Sequence, residues 1–370
     1  MQFTISRESF LKPLQLVVGT VSGGRSIQPI TSNILINVEN NLLILTGTDL
    51  EVELISKTPL NNECIEGKIT VPARKLLDIC RGLPESCEIN FSLKNEKVTI
   101  RSGKSRYLLS SLPAEEFPNI DAWQSLTEFS VPSNEFKKLI ASTQFAMANQ
   151  DVRYYLNGMY FEITPESLRS VATDGHRLAS SFINLSPPNI QAEQTIIVPS
   201  KGVKELFKLL DNEPAILQVQ IGSNHLRVLI GDFIFTTKLV DGRFPDYRRV
   251  IPRDGDKELM ASRESLKQAF TRAAILSNEK FRGVRLALSQ NELKISANNQ
   301  EREEAQEILD VDYQSAELEI GFNVSYVLDA LSALKSEKVK ITFSTSSNSA
   351  LIEAAHDSDN SVYILMPMRL

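Results

Sequence analysis

The chain states one segment three times, and that repetition limits its fold more than any other feature. Phe3-Thr4-Ile5-Ser6-Arg7-Glu8-Ser9-Phe10 returns as Phe129-Ser130-Val131-Pro132-Ser133-Asn134-Glu135-Phe136 and, more loosely, over residues 259–267. Aligning Phe10, Phe136 and Leu266 gives steps of 126 and 130 residues. A second marker, Val71-Pro72-Ala73-Arg74-Lys75-Leu76, recurs as Val198-Pro199-Ser200-Lys201-Gly202-Val203. A third runs Thr46-Gly47-Thr48-Asp49, Val171-Ala172-Thr173-Asp174 and Ser296-Ala297-Asn298-Asn299, 125 residues apart each time. Three markers in one order at near-constant spacing indicate triplication of a domain, because solenoid repeats are far shorter and lean on their neighbours.

At 370 residues and 42% apolar content the chain can hold three domains of roughly 120 residues, each with its own core. The expected boundaries are 1–125, 126–252 and 253–370. No apolar run approaches the ~20 residues that cross a bilayer, and Met1 leads straight into a strand pattern without a signal peptide. The three cysteines, Cys64, Cys80 and Cys87, are odd in number and lack metal-ligand spacing. A reduced, cytoplasmic protein with no membrane association and no cofactor fits these features.

Each repeat reads as two βα units with extra strands, an α+β arrangement of antiparallel sheet backed by two helices. In the second repeat Phe136, Leu139, Ile140, Thr143 and Met147 recur at helical spacing after a Ser133 cap, and Pro199-Ser200 starts another helix. Strands are expected at 158–163, 168–172, 215–221, 225–230 and 233–239. Six helices are expected at about 7–18, 73–83, 134–149, 200–211, 262–276 and 323–336, with Pro13 kinking the first. Phe117-Pro118 and Phe244-Pro245 lie 127 residues apart and have no counterpart in the third repeat, so they read as connectors.

Net charge is −6, which alone argues against a nucleic-acid partner, but its distribution argues the other way. The six helices hold 14 Lys or Arg and 7 Asp or Glu, a surplus of 7 that leaves −13 on the remainder. On the fourth helix Lys201, Lys204 and Lys208 lie opposite Val203, Leu206, Phe207 and Leu210; on the second, Arg74 and Arg81 lie opposite Leu76, Ile79, Cys80 and Leu83. One such helix is ordinary solvation. Six in equivalent repeat positions would give an arc of repeats one basic side.

The two ends of the chain carry complementary strands. Arg101-Ser102-Gly103-Lys104-Ser105-Arg106-Tyr107 is basic, Glu301-Arg302-Glu303-Glu304-Ala305-Gln306-Glu307 is acidic, and their counterparts in the middle repeat carry no comparable charge. Exposed edge strands invite pairing, and opposite charge selects which edge meets which. Two chains joined head to tail through these strands would close a ring of six repeats, with twelve basic helices facing a duplex.

Other chemistries fare poorly. Only His176, His225 and His356 exist, widely separated, and the repeat equivalents of His176 are Glu51 and Glu301, so Asp174-Gly175-His176 is no repeated catalytic set. Gly23-Gly24-Arg25 lacks the Lys-Ser/Thr ending of a phosphate loop, and no ligand cluster suits a metal. An open scaffold that binds partners without enclosing DNA would explain the repeats but neither the basic helices nor the complementary ends.

At this point the sequence resembles the β subunit of bacterial DNA polymerase III, the sliding clamps, over its full length. The resemblance is carried by Gly23-Gly24-Arg25, Gly47-Thr48-Asp49-Leu50-Glu51, Gln150-Asp151-Val152-Arg153-Tyr154-Tyr155-Leu156-Asn157-Gly158 and Ala172-Thr173-Asp174-Gly175-His176-Arg177-Leu178. Residues 241–250, Asn278-Glu279-Lys280-Phe281-Arg282-Gly283-Val284-Arg285 and residues 366–370 carry it further. It implies a non-catalytic, ring-shaped homodimer of the DNA clamp fold that encircles double-stranded DNA and confers processivity. Implied partners are the replicative polymerase α subunit, the clamp-loader complex through its δ subunit, and other clamp-motif polymerases and repair proteins.

The resemblance also implies residue roles. Lys104, Arg106, Tyr107 and Leu109 would face Ile275, Leu276, Glu301, Glu303 and Glu304 across the dimer contact. Arg25 and Gln150 would reach toward DNA, with Arg74, Lys201 and Arg282 also assigned to it. Such contacts go to phosphate without base readout, which makes binding independent of sequence and sensitive to salt. A partner-peptide cleft would comprise Leu156, Thr173, Gly175, His176, Arg177, Leu178, Pro245, Arg249, Val250, Asn323, Tyr326, Ile364, Met366, Pro367, Met368 and Arg369. That set suits a short apolar motif, with adaptable Leu and Met walls and a polar rim, although Leu178 and Val250 would suit a core seam equally well. The Ser-rich stretch 344–349 has no place in the resemblance.

Overall fold

The structure, a computed structural model, describes residues 1–21, 29–118, 120, 123–186, 190, 192–210, 215–252, 255–356 and 360–369. The first repeat runs β1 (Gln2–Ser6), α1 (Arg7–Thr20), β2 (Asn33–Glu39), β3 (Leu42–Thr48), β4 (Val52–Pro59), β5 (Gly67–Pro72), α2 (Ala73–Gly82), β6 (Glu88–Lys94), β7 (Lys97–Ser102), β8 (Ser105–Ser110). The second runs β9 (Thr127–Pro132), α3 (Ser133–Ala141), β10 (Gly158–Ile163), β11 (Ser167–Thr173), β12 (Arg177–Asn184), β13 (Gln194–Pro199), α4 (Ser200–Leu209), β14 (Ile216–Ile221), β15 (His225–Ile230), β16 (Phe233–Lys238). The third runs β17 (Lys257–Ser262), α5 (Arg263–Ala273), β18 (Gly283–Ser289), β19 (Glu292–Asn298), β20 (Glu304–Asp310), β21 (Asp312–Tyr313), β22 (Leu318–Asn323), α6 (Val324–Ala333), β23 (Lys338–Phe343), β24 (Ala350–Ala354), β25 (Ser361–Leu365). Apart from the two-residue β21, every repeat is a β-α-β-β-β unit written twice.

The two halves of each repeat exchange their first strand. β1 pairs with β6 rather than with β2, and β5 pairs with β2 rather than with β6. All pairings are antiparallel, and the sheets run β1-β6-β7-β8, β5-β2-β3-β4-β16-β15-β14-β9, β13-β10-β11-β12-β25-β24-β23-β17-β21 and β20-β19-β18-β22. Sheets therefore continue across repeat boundaries, because β4 pairs with β16 and β12 pairs with β25. By contact the chain falls into two compact units: residues 1–136 with 201–239, and residues 137–200 with 240–370. The fused sheets are the reason that this division cuts through the second repeat.

In the first unit α1 packs on α2, β3 and β4, burying Phe10, Leu14 and Val17 completely. Each such side chain contributes about 2 kcal/mol relative to exposure. The helix lies so close to β3 that a Cβ on Gly47 would come within 2.5 Å of the Val17 carbonyl oxygen. In the second unit α5 packs likewise on α6, β19 and β20, with Leu266 and Phe270 fully buried.

The helix starts repeat in detail. Ser6 and Ser262 accept the N–H groups of Ser9 and Ser265 at 3.2 and 3.3 Å. Ser133 does otherwise: it is the first residue of α3, and its hydroxyl accepts the N–H of Ala215 at 3.0 Å. Arg7 and Arg263, the first residues of α1 and α5, donate to the last turn of the partner helix of their repeat, from Nε to the Cys80 carbonyl at 3.0 Å and from Nη1 to the Leu331 carbonyl at 3.3 Å.

Helix ends depart from expectation for local reasons. α1 continues through Pro13 to Thr20. The helix expected over 134–149 ends at Ala141, with a separate 3₁₀ turn over Gln144–Ala146. Ser142 and Thr143 donate their hydroxyls to the carbonyls of Lys138 and Leu139 at 2.8 and 3.2 Å, competing with the backbone for those acceptors.

Candidate functional site

In the second unit the β11–β12 hairpin, the segment after Phe244-Pro245 and the end of β25 enclose an apolar cavity of about 180 Å³. The β11–β12 turn is rigid. Asp174 accepts the N–H groups of His176 and Arg177 at 2.9 and 3.0 Å, and Thr173 accepts the N–H of Gly175 at 3.1 Å. Gly175 sits at φ +89, a left-handed conformation that glycine adopts without strain, and its missing Cβ leaves room for the Arg153 guanidinium.

Nine of the sixteen residues assigned to the cleft line this cavity: Leu156, Thr173, Gly175, Arg177, Leu178, Pro245, Val250, Ile364 and Met366. The others lie around it. His176 stacks on Tyr326 at 6.5 Å, and Arg249 is held by Asp246 at 2.9 Å while remaining largely exposed. Asn323 caps α6 by accepting the Ser325 N–H at 2.9 Å. Met368 and Arg369 line a second cavity, of about 350 Å³, together with Asn278, Phe281 and Gly283, and Pro367 joins the two. Arg177 is more engaged than a rim residue would be: it pairs with Asp174 and Asp329, donates to the Phe145 carbonyl at 2.7 Å and covers the Tyr326 ring.

Four lining residues escaped the sequence reading: Arg153, Tyr155, Asp246 and Tyr247. All fall inside segments that carry the resemblance, which was the available signal. Tyr247 donates to buried Glu162 at 3.2 Å, and Glu162 also binds Arg248 at 2.6 Å. Burial raises the pKa of Tyr247 and of Tyr326, so both phenols stay neutral. The side-chain hydrogen bond from Arg153 holds Asp151 down at about 2. The Ser-rich stretch also finds a place, since the Ser349 hydroxyl reaches the Val250 carbonyl at 3.4 Å.

The charged end strands are both sheet edges: β8 ends the first sheet and β20 ends the fourth. Arg101 and Arg106 face each other across the β7–β8 hairpin, a like-charge pairing that is unfavourable until an anion approaches. Lys104 occupies the turn before β8, Tyr107 is half-buried and Leu109 is buried. Glu304 begins β20, Glu301 is exposed in the loop before it, and Asn299 holds Glu303 with bonds of 2.6 and 2.9 Å. Beside β20, Ile275 is 75% exposed and Leu276 half-buried. The sequence reading passed over Leu108 and Ile308, exposed apolar residues in the middle of each edge strand, which the alternation of β8 and β20 could have shown.

Among residues assigned to DNA, Arg25 lies outside the described residues. Gln150 is exposed at φ +56, and Arg74 is exposed on α2. Lys201 and Arg282 are otherwise occupied: Lys201 is ion-paired to Asp49 and donates to the Thr20 carbonyl at 3.2 Å, while Arg282 donates to the Ala274 carbonyl at 3.2 Å. The six observed helices carry 13 Lys or Arg, none of them on α6, against 6 Asp or Glu; Lys12, Arg74, Lys75, Arg81, Lys138 and Lys204 are exposed, as are Lys208 and Arg272, which pair with Glu205 and Glu307. Among the described residues no group of three or more His, Cys, Asp or Glu could hold a metal ion, and no helix is long and apolar enough to cross a membrane.

Comparison with known proteins agrees along the whole chain. The N-terminal, central and C-terminal domains of the DNA polymerase III beta subunit match residues 1–121, 130–246 and 248–369. The beta sliding clamp of Escherichia coli K12 is 58% identical over 372 residues, and that of Vibrio cholerae 54% over 370, each covering 100% of both chains. The crystal structure of the DNA polymerase III subunit beta from Pseudomonas aeruginosa superposes with a TM-score of 0.95 at 50% identity, covering 100% of both chains. The chain belongs to the DNA polymerase III beta subunit family, the beta sliding clamps.

As a sliding clamp it is a processivity subunit and not a catalyst, a DNA-replication protein that works with DNA and polymerase. The three family domains coincide with the three doubled β-α-β-β-β repeats.

Proposed function

We propose that two chains of this clamp join head to tail through β8 and β20, closing a ring of three domains per chain (1–125, 126–252 and 253–370) around duplex DNA. One observation carries this reading. Every repeat has two outer strands, and inside the chain they meet in pairs, β4 with β16 and β12 with β25, which leaves β8 and β20 as the unmade third junction. A second copy completes it.

The internal junctions also supply a register. Thr48 pairs with Glu53 as Asn298 pairs with Glu304, and Ile230 pairs with Phe233 as Ser102 pairs with Ser105. Because Glu53 lies opposite Thr236, the same register sets Leu108 opposite the partner's β20 start and Arg106 two residues further along that strand. Arg106 then lies one diagonal step from Glu304 and Lys104 one from Asp310, while Glu301 and Glu303 precede the paired stretch and extend its acidic end. Tyr107 and Leu109, on the buried side of β8, meet Ile275 and Leu276.

Exposed Gln150 and Arg74 support a role toward phosphate, joined by Lys12, Arg81, Lys138 and Lys204, while Lys201 ties α4 to the end of α1 and Arg282 caps α5. The cavity at Leu178 and Met366 takes a short apolar peptide. The polymerase α subunit, the loader δ subunit and other clamp-motif polymerases and repair proteins share it, in the cytoplasm. The test is topological. Protein loaded on circular DNA by the loader ATPase should be lost when the circle is cut and retained when the ends are blocked. Retention on cut DNA with free ends would sink the ring reading.

A further inference from the structure

The two junctions inside the chain are built alike and lined differently. At one, Leu178 on β12 faces Ile364 on β25, which faces Leu351 on β24. At the equivalent positions of the other, Glu53 on β4 faces Thr236 on β16, which faces Arg227 on β15. Equivalence follows from the hairpins, because Thr48 pairs with Glu53 as Thr173 pairs with Leu178. The connectors correspond as well. Counted from Phe117-Pro118 and Phe244-Pro245, Trp123 stands where Val250 stands.

Leu178 and Ile364 line the cavity, and Leu351 packs on the same apolar cluster. The other row is polar and desolvated, and the indole Nε1 of Trp123 above it is buried without a partner. Glu53 is 5% exposed and accepts the Ile120 N–H at 3.4 Å, and Arg227 Nε donates to Thr236 Oγ1 at 3.2 Å. Trp123 covers this row, with the Arg227 guanidinium 5.0 Å and the His225 ring 5.8 Å from it. It presses on Gly222 so closely that a Cβ there would come within 2.5 Å of the indole.

We propose that the junction at Glu53 is a closed copy of the peptide cleft, and that Glu53, Arg227, Thr236 and Trp123 confine apolar peptides to the Leu178 site. A leucine entering the closed copy would have to displace Trp123 and take the cover from the buried Glu53 carboxyl and the half-buried Arg227 guanidinium, which rejects it more strongly than a missing contact would. Each chain then offers one peptide site although its fold builds the position twice. This rests on the reading of the Leu178 cavity as the peptide cleft.

The experiment counts peptides per chain, using a fluorescein-labelled peptide that carries the polymerase's clamp-binding motif. The native protein is expected to take one. The variant Glu53→Leu, Arg227→Leu, Thr236→Ile, Trp123→Val, which copies the apolar row of the open junction and the residue above it, is expected to take two. A folded, dimeric variant that still takes one overturns the proposal alone, whereas a native protein that takes none overturns the cleft reading and the proposal with it. Trp123 is the sole tryptophan, so the native protein gives a second readout that needs no variant. Saturation with a nitroxide-bearing peptide, a contact quencher, is expected to leave its emission unchanged, and quenching would overturn the proposal.

Discussion

The Arg177 guanidinium on β12 is ion-paired to Asp329 on α6 and lies 4.4 Å from the centre of the Tyr326 ring. It also holds Asp174, whose carboxylate shapes the β11–β12 turn, so one side chain ties the cleft wall to a helix of the next repeat. Arg177→Ala is expected to cost about 2 kcal/mol of stability through lost charge-assisted hydrogen bonds. It should also weaken peptide binding about tenfold, or about 1.4 kcal/mol. Thermal melting and peptide titration read the two effects, and unchanged peptide affinity would confine Arg177 to a structural role.

The chain end is fastened beside the cavity by the Met366 N–H to the His176 carbonyl at 2.9 Å and by the Met368 N–H to the Gly321 carbonyl at 2.8 Å. Deleting residues 366–370 is expected to lower peptide affinity at least about tenfold, since Met366 is lost from the lining. The dimer should survive, because neither edge strand is touched. Dissociation on gel filtration would contradict this placement.

Leu108 and Ile308 are 51% and 55% exposed, each in the middle of an unpaired edge strand. On pairing, Leu108→Asp would bury a carboxylate opposite the partner's Glu304 and Ile308→Lys an ammonium opposite the partner's Lys104, so each should weaken the dimer by about 2 kcal/mol or more. Leu126→Asp, at a 71% exposed position that belongs to neither β8 nor β20, serves as the control. Sedimentation equilibrium at micromolar protein checks it; a variant pair as dimeric as the control would refute the edge contact.

Burial raises the Glu53 pKa above its ordinary value of 4.5, so folding makes this carboxyl harder to ionise than in the unfolded chain. The stability from that difference is fully present below pH 4.5 and is lost as pH rises through the folded value. Glu53→Gln carries no charge at any pH. It should melt above the native protein at neutral pH and level with it in acid. A constant difference across the range would show that desolvation of the carboxylate is not the cause.

Much of the fold was legible because it depends on local period. The strands expected at 158–163 and 225–230 are β10 and β15 to the residue, and the helix starts at Arg7, Ala73 and Ser200 follow from caps and Pro-initiated turns. Local competition was less visible, and Ser142 and Thr143 shortened α3 through bonds that periodicity does not register. In the candidate site, residue type suggested a place and geometry changed its meaning. Lys201 and Arg282 read as free cations, yet each is spent on a neighbour that only the folded chain brings near.

By itself the sequence determined that there are three repeats, the order of elements within each, and the opposite charges on the strands near residues 106 and 304. Those properties sit in spacing and composition, which need no partner to be read. The tertiary structure decided which strands meet across repeat boundaries, and with that which two stay unpaired. It also decided that one internal junction is lined by Leu178 and Ile364 and the other by Glu53 and Thr236. Each of these pairs lies more than 180 residues apart in the chain, and antiparallel register, not sequence spacing, sets them face to face.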